Sequence, residues 1–176
     1  MAVPQKALEE MRALLPVVNI LFPSLAEARH LTGLQEPEEC ARALHKQGVK
    51  VVALKLGRAG CLVASHDTLF HVPGFSITVR DSTGAGDSFA AGFLAGVLGD
   101  LDWRGAAVLG NAMGAMSAAC VGAGAAEPKA RTVLNLVRNG RAGMDHPALV
   151  AAARQVIDYV TTLATEPQEE GKPWWK

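Results

Sequence analysis

Two short stretches, VVNILF at residues 17–22 and VVALKL at 51–56, are almost wholly apolar and rich in β-branched side chains. A strand wetted on one face alternates apolar with polar residues. A continuous run is what a strand covered on both faces requires. Between the runs lie two helical stretches. Residues 25–31 end at Thr32-Gly33. Residues 36–47 carry Pro37 near their start, where a missing N–H is harmless, and end at Gly48. This order predicts a strand–helix–strand crossover and a sheet covered by helices.

The remainder extends the same layout. Short strands are predicted at 61–64, 68–72 and 77–80, with turns at His66-Asp67 and Pro73-Gly74. Helices follow at 87–98, 103–121, near 131–137, and at 147–165. The polar end 166–176, with Pro167 and Pro173, reads as a loose tail and leaves Trp174 and Trp175 without an assigned role. With no repeat and no linker, the 176 residues are read as a single domain.

Composition removes several classes of function. The 17 Lys+Arg balance the 17 Asp+Glu, and 49% of residues are hydrophobic, which excludes a disordered chain. Basic residues are scattered, so neither a nucleic acid nor a membrane surface finds a footprint. Cys40, Cys61 and Cys120 are odd in number and widely spaced. They read as reduced thiols of a cytoplasmic protein, without zinc or disulfide spacing. The five histidines show no metal spacing. Residues 1–6 lack the pattern of a signal peptide. Residues 105–126 carry no charge and are long enough to span a bilayer. They are mostly Ala and Gly, however, with Asn111 and Ser117 inside, so a closely packed buried helix is expected.

The segment Asp81-Ser82-Thr83-Gly84-Ala85-Gly86-Asp87-Ser88-Phe89 lies between the strand expected at 77–80 and the next helix. Small residues let the backbone approach a ligand closely. The first N–H groups of a helix lack intrahelical partners, and with the helix dipole they favour an anion. A carboxylate in that first turn stands beside the anion and is suited to accept a proton from an attacking hydroxyl. Asp81–Asp87 resembles the D-T-T-G-A-G-D signature of the PfkB (ribokinase-like) carbohydrate kinases, with Ser82 in place of Thr.

The resemblance implies that Gly84, Ala85 and Gly86 cradle the transferring phosphate and that Asp87 is the catalytic base. Pro23-Ser24-Leu25-Ala26-Glu27 is similar to the family's P-N-x-x-E, whose Glu helps hold Mg²⁺ through water; Ser24 replaces Asn and Glu27 is retained. Residues 54–60 resemble the strand-end loop along the nucleotide phosphates, which implies roles for Lys55, Gly57 and Gly60. Asn111-Ala112-Met113-Gly114-Ala115, with Gly122-Ala123, resembles the helix and loop beside adenine. By the same resemblance Asp81, Thr83 and Gly122 surround a monovalent cation such as K⁺. The matches run from about residue 17 to 128. The implied fold is a ribokinase-like three-layer α/β/α sandwich with a mostly parallel sheet. The implied function is ATP-dependent phosphorylation of a sugar.

Members of that family are about twice as long. Their G-G-x-x-x-N motif, sugar-binding Asp, first strands and β lid have no counterpart here. The sheet is therefore expected to show an open edge, covered by a second copy, a separate N-terminal chain or rearranged local elements. Without an acceptor pocket, a nucleotide- or anion-binding module or partner subunit is the alternative to an active kinase. Other readings fit less well. Phe89 holds the third glycine position of a dinucleotide fingerprint, and no G-K-[ST] of a P-loop follows. Gly86-Asp87-Ser88, with Asp145 and His146, is also similar to GDS-type esterases, but the adjacency of Asp145 and His146 makes one shared site awkward. Core or surface roles remain open for Lys55, Glu27 and Asn111.

Overall fold

The computed structural model describes residues 5–66, 68–122, 129–140 and 145–165. Helix α1 (Gln5–Leu14) and a 3₁₀ turn (Leu15–Val17) lead to β1 (Ile20–Leu21). Then come α2 (Leu25–Thr32), α3 (Pro37–Lys46), β2 (Val51–Lys55), β3 (Cys61–Ser65) and β4 (Thr68–Val72). Four further helices follow: α4 (Ala85–Leu98), α5 (Trp103–Ala118), α6 (Ala130–Asn139) and α7 (Pro147–Thr165). The tail expected at 166–176 and Asp67 of the expected turn fall outside the described residues.

The sheet order is β1-β2-β3-β4. β1 and β2 are parallel, joined by α2 and α3 as the crossover reading requires. The β2–β3 and β3–β4 pairs are antiparallel, so the sheet is mixed and the expected mostly parallel sheet is not what forms. The connections explain this. Only five residues join β2 to β3, and two join β3 to β4, too few for a crossover.

Strand alternation makes three layers. Val52, Leu54, Leu62 and Ala64 face Ala28, Leu31, Cys40 and Leu44 of α2 and α3. Val51, Ala53, Cys61 and Val63 face Phe89, Phe93 and the apolar sides of α5, α6 and α7. Both faces of β2 and β3 are thus covered, which is why their sequences read as continuous apolar runs.

Two expected strands differ. The run at 17–22 yields only Ile20–Leu21, because its first residue belongs to the 3₁₀ turn around Pro16. Residues 77–80 form no strand. They follow β4 without a neighbouring strand to pair with, and only Arg80 finds an acceptor, at Ala118 O (2.8 Å). Among the described residues, no strand pairs with the outer edge of β1.

Helices α4 and α5 explain the uncharged glycine- and alanine-rich stretch. A Cβ on Gly96 would lie 2.8 Å from Ala106 Cα, and one on Gly110 would lie 3.0 Å from Phe89 O. The two backbones approach where side chains are missing. No described helix is long and apolar enough to cross a membrane, and α5 ends at Ala118. The opposite side of α4 carries Asp87, Ala91, Leu94 and Leu98, all exposed, with Leu98 at 84%. Apart from its first turn, that solvent side bears no charge.

Candidate active site

The site gathers at the carboxyl ends of the parallel strands β1 and β2, where open α/β sheets place ligands. Past β1, Pro23 O accepts Lys55 N–H at 2.8 Å, and Ser24 forms a single parallel bridge with Lys55. Ser24 then caps α2. Its N–H donates to Glu27 Oε2 at 2.7 Å, and its Oγ accepts Glu27 N–H at 3.3 Å. This is a capping box. The S-x-x-E spacing carries that signal in the sequence. The Ser24 backbone bond, opposed by partial burial and aided by the Ser24 hydroxyl and Lys55, holds the Glu27 carboxyl below its ordinary value.

Opposite stands the head of α4. Gly84 adopts φ 77°, a left-handed conformation that glycine takes without strain, and caps the helix. Ala85 N–H donates to Ser82 O at 3.2 Å, and Ser88 N–H to Gly84 O at 2.9 Å. Among the described residues, the amides of Gly84, Gly86 and Asp87 have no acceptor. Of the expected cradle, then, Gly84 and Gly86 present free donors, and Ala85 uses its own within the turn. Asp87 is the third residue of α4, with its side chain exposed. The turn is not buried under packed side chains.

Lys55 reaches this turn. A Cβ on Gly86 would lie 3.0 Å from Lys55 Nζ. Sequence spacing gave no hint of this meeting of residues 31 positions apart.

Asp81 ties the turn to α5. Its Oδ1 accepts Thr83 N–H at 2.9 Å, and its Oδ2 accepts Gly122 N–H at 3.0 Å. These bonds, led by Thr83, hold its carboxyl below the ordinary value. Ala118 O accepts Arg80 and Asp81 amides, and a Cβ on Gly114 would lie 3.1 Å from Ala85 O. The end of α5 therefore braces the start of α4. Ala123 lies outside the described residues.

The remaining candidates divide. Gly57 (φ 60°) opens the exposed strand-end loop, with free space where its side chain would be. Gly60 is buried instead. A Cβ there would lie 2.1 Å from Val72 O, so its glycine serves the contact of this loop with the end of β4. Asn111 is buried, and its amide donates to Val72 O and Pro73 O at 3.1 Å each. Its hydrogens are consumed in joining α5 to β4. Beside it, burial pushes the Cys61 thiol up to about 12. The esterase reading gains nothing. His146 Nδ1 accepts Ala148 N–H at 3.3 Å, and among the described residues no hydrogen bond joins Ser88 to Asp145 or His146. No cluster of metal-ligating side chains occurs among the described residues.

Comparison with known proteins gives a consistent picture. The profile of the "pfkB family carbohydrate kinase" matches residues 2–130. The 2-dehydro-3-deoxygluconokinase of Bacillus subtilis is 38% identical over 96 residues, covering 54% of this chain and 30% of that protein. A fructokinase of Vibrio cholerae O395, solved with fructose, ADP and calcium ion, superposes with a TM-score of 0.69 at 28% identity. That match covers 76% of this chain and 45% of the fructokinase. The ribokinase of Arabidopsis thaliana, solved with ribose and ATP, gives 0.66 at 29% identity, over 71% and 42% of the two chains. This chain thus spans less than half the length of each of these relatives.

Proposed function

This chain belongs to the pfkB family of carbohydrate kinases, and from that premise we propose that it carries the nucleotide-binding and phosphoryl-transfer part of an ATP-dependent sugar kinase. One observation carries the proposal. Among the described residues, the amides of Gly84, Gly86 and Asp87 lack acceptors at the head of α4, and the Asp87 carboxylate stands in the same turn.

In the reaction, a sugar hydroxyl attacks the γ-phosphorus of ATP and gives its proton to Asp87. The new O–P bond forms as the bond to the β-phosphate oxygen breaks and ADP leaves. Amides fixed in the backbone need no reorganisation as charge gathers on the phosphoryl oxygens. Lys55 and Gly57 face the nucleotide phosphates. Gly60 and Asn111, expected along the nucleotide, support that loop and α5 from beneath.

Glu27 fits a hydrated Mg²⁺, since its carboxylate is exposed and held ionised. The ion, when bound, neutralises phosphate charge. Asp81, Thr83 and Gly122 are the residues we assign to a monovalent cation such as K⁺; both Asp81 oxygens already accept amides, and no step depends on that ion.

A second reading is favoured by one feature, the apolar flank of α4, exposed among the described residues. On this reading the chain binds nucleotide or anion as a subunit, and a second copy or another chain covers that side. Calorimetry with ATP·Mg²⁺, followed by a sugar panel, tests both. Nucleotide binding with turnover supports the kinase, and binding without turnover supports the subunit. An absence of nucleotide binding removes both.

A further inference from the structure

The loop between β2 and β3 is held from across the sheet. Residues 57–59 form a single 3₁₀ turn, flanked by Gly57 at φ 60° and Gly60 at φ 93°. Its own backbone closes it. Ala59 N–H donates to Leu56 O at 3.2 Å, Gly60 N–H to Gly57 O at 3.0 Å and Leu56 N–H to Gly60 O at 2.8 Å. These three bonds shape the turn but tie it to no other element.

The outside tie is His71. It lies in β4 opposite Leu62, on the face it shares with Leu69. Its Nε2 stands 2.7 Å from Ala59 O. A carbonyl oxygen only accepts, so Nε2 carries the hydrogen. The neutral ring with its hydrogen on Nε2 and the imidazolium both donate this bond. Bare backbone makes the approach possible. A Cβ on Gly74 would lie 2.5 Å from Arg58 O, and one on Gly60 would lie 2.5 Å from Gly74 N. The glycines allow the loop to reach the end of β4, and the imidazole fastens it there.

Resting on the kinase reading above, which sets residues 54–60 along the nucleotide, we propose that His71 is a positioning residue for nucleotide binding, acting through Ala59 O. It touches no phosphate itself. Without the ring bond, the two positive-φ glycines leave Arg58 and Ala59 free to swing, and the fraction of chains with the loop in place falls.

The test compares His71→Phe, which keeps a ring without an N–H, with His71→Gln, whose amide N–H replaces Nε2. Calorimetry with ATP·Mg²⁺, melting curves and amide hydrogen exchange are run on the same full-length samples, well below every melting midpoint. His71→Phe weakens ATP·Mg²⁺ binding by about three- to tenfold, the range of one hydrogen bond, and His71→Gln regains most of it. In the absence of nucleotide, exchange of the Gly60 amide quickens in His71→Phe and slows again in His71→Gln. Melting temperatures of the three chains stay close, since His71 is exposed. Equal binding by wild type and His71→Phe, a His71→Gln chain no better than His71→Phe, or unchanged exchange at Gly60 overturns the proposal. A wild-type chain that does not bind ATP·Mg²⁺ overturns the kinase reading and this inference with it.

Discussion

Gly122 N–H donates to Asp81 Oδ2 at 3.0 Å, closing a contact across 41 positions of the chain. The bond ties the segment after α5 to the turn before α4, and the same carboxylate also fixes Thr83. Asp81→Ala frees both amides and loosens the turn that presents Gly84 and Gly86. Nucleotide affinity should fall well before thermal stability does, as calorimetry and a melting curve on the same sample will show. The acid response has a definite sign. The folded carboxyls of Asp81 and Glu27 titrate below their unfolded values of 3.8 and 4.5. Their stabilising contribution is present above those values and is lost as pH falls through the folded ones. Both carboxyls are exposed, so the melting temperature should decline only modestly below about pH 4.

Asp87→Asn keeps the shape of the turn and removes the proton acceptor. In the assembly that turns over sugar, kcat should fall by about 10²–10⁴-fold with nucleotide affinity nearly unchanged. Ser88→Ala should leave turnover near wild type. Steady-state kinetics of the two variants decide between a carboxylate base and a serine nucleophile.

Two glycines of α4 should respond oppositely to alanine. At Gly96 the new methyl meets the Ala106 backbone, which cannot move aside. Net destabilisation of about 1–2 kcal/mol is expected after the helix-propensity gain of alanine is subtracted. At Gly86 the methyl meets only the tip of Lys55, which swings away. The fold should persist there and, on the proposed kinase reading, nucleotide binding should weaken. Urea melts and calorimetry with ATP·Mg²⁺ separate the two effects.

Asn111→Ala leaves the carbonyls of Val72 and Pro73 without their donor in a buried setting. A cost of about 1–3 kcal/mol in unfolding free energy is expected. Nucleotide affinity of the folded fraction should change little, since the amide holds α5 to β4. A large loss of affinity at constant stability would instead assign Asn111 to adenine.

Thiol chemistry should distinguish the three cysteines. Cys40 and Cys61 are buried and Cys120 is half-buried at the end of α5. A thiol reagent at pH 8 should therefore label Cys120 first. Cys61 titrates at about 12, above its unfolded value of 9.0. Its contribution to stability is intact below pH 9 and declines as pH rises towards 12. Alkaline melts should show that decline, and Cys61→Ala should blunt it.

Much of the architecture was legible because local signals agreed with the global outcome. The α2–α3 crossover, the bounds of α7 and the strand at Thr68–Val72 follow from periodicity and from Gly and Pro punctuation. The mixed sheet was less visible. Apolar runs report burial on both faces but not the direction of the neighbouring strand, which the short links after Lys55 and Ser65 decide. Residues 77–80 have strand-like composition, yet a strand needs a partner as well as propensity. Asp81, Gly84, Gly86 and Asp87 are neighbours in the motif, and they stand together at the head of α4. The motif could not show that Ala85 spends its N–H on Ser82, nor that Gly60 and Asn111 meet the end of β4. Those facts depend on long-range packing, and the draping of Lys55 over Gly86 does too.

Asp87, Ala91, Leu94 and Leu98 share one side of α4, so a polypeptide seated on the two leucines also descends beside the carboxylate. Docking there would also dry the Asp87 carboxylate. Such a cover would exclude solvent from the carboxylate and from any hydroxyl held beside it. On the proposed kinase reading, chemistry at this helix head would await that association, and nucleotide held by a solitary chain would be spared wasteful hydrolysis.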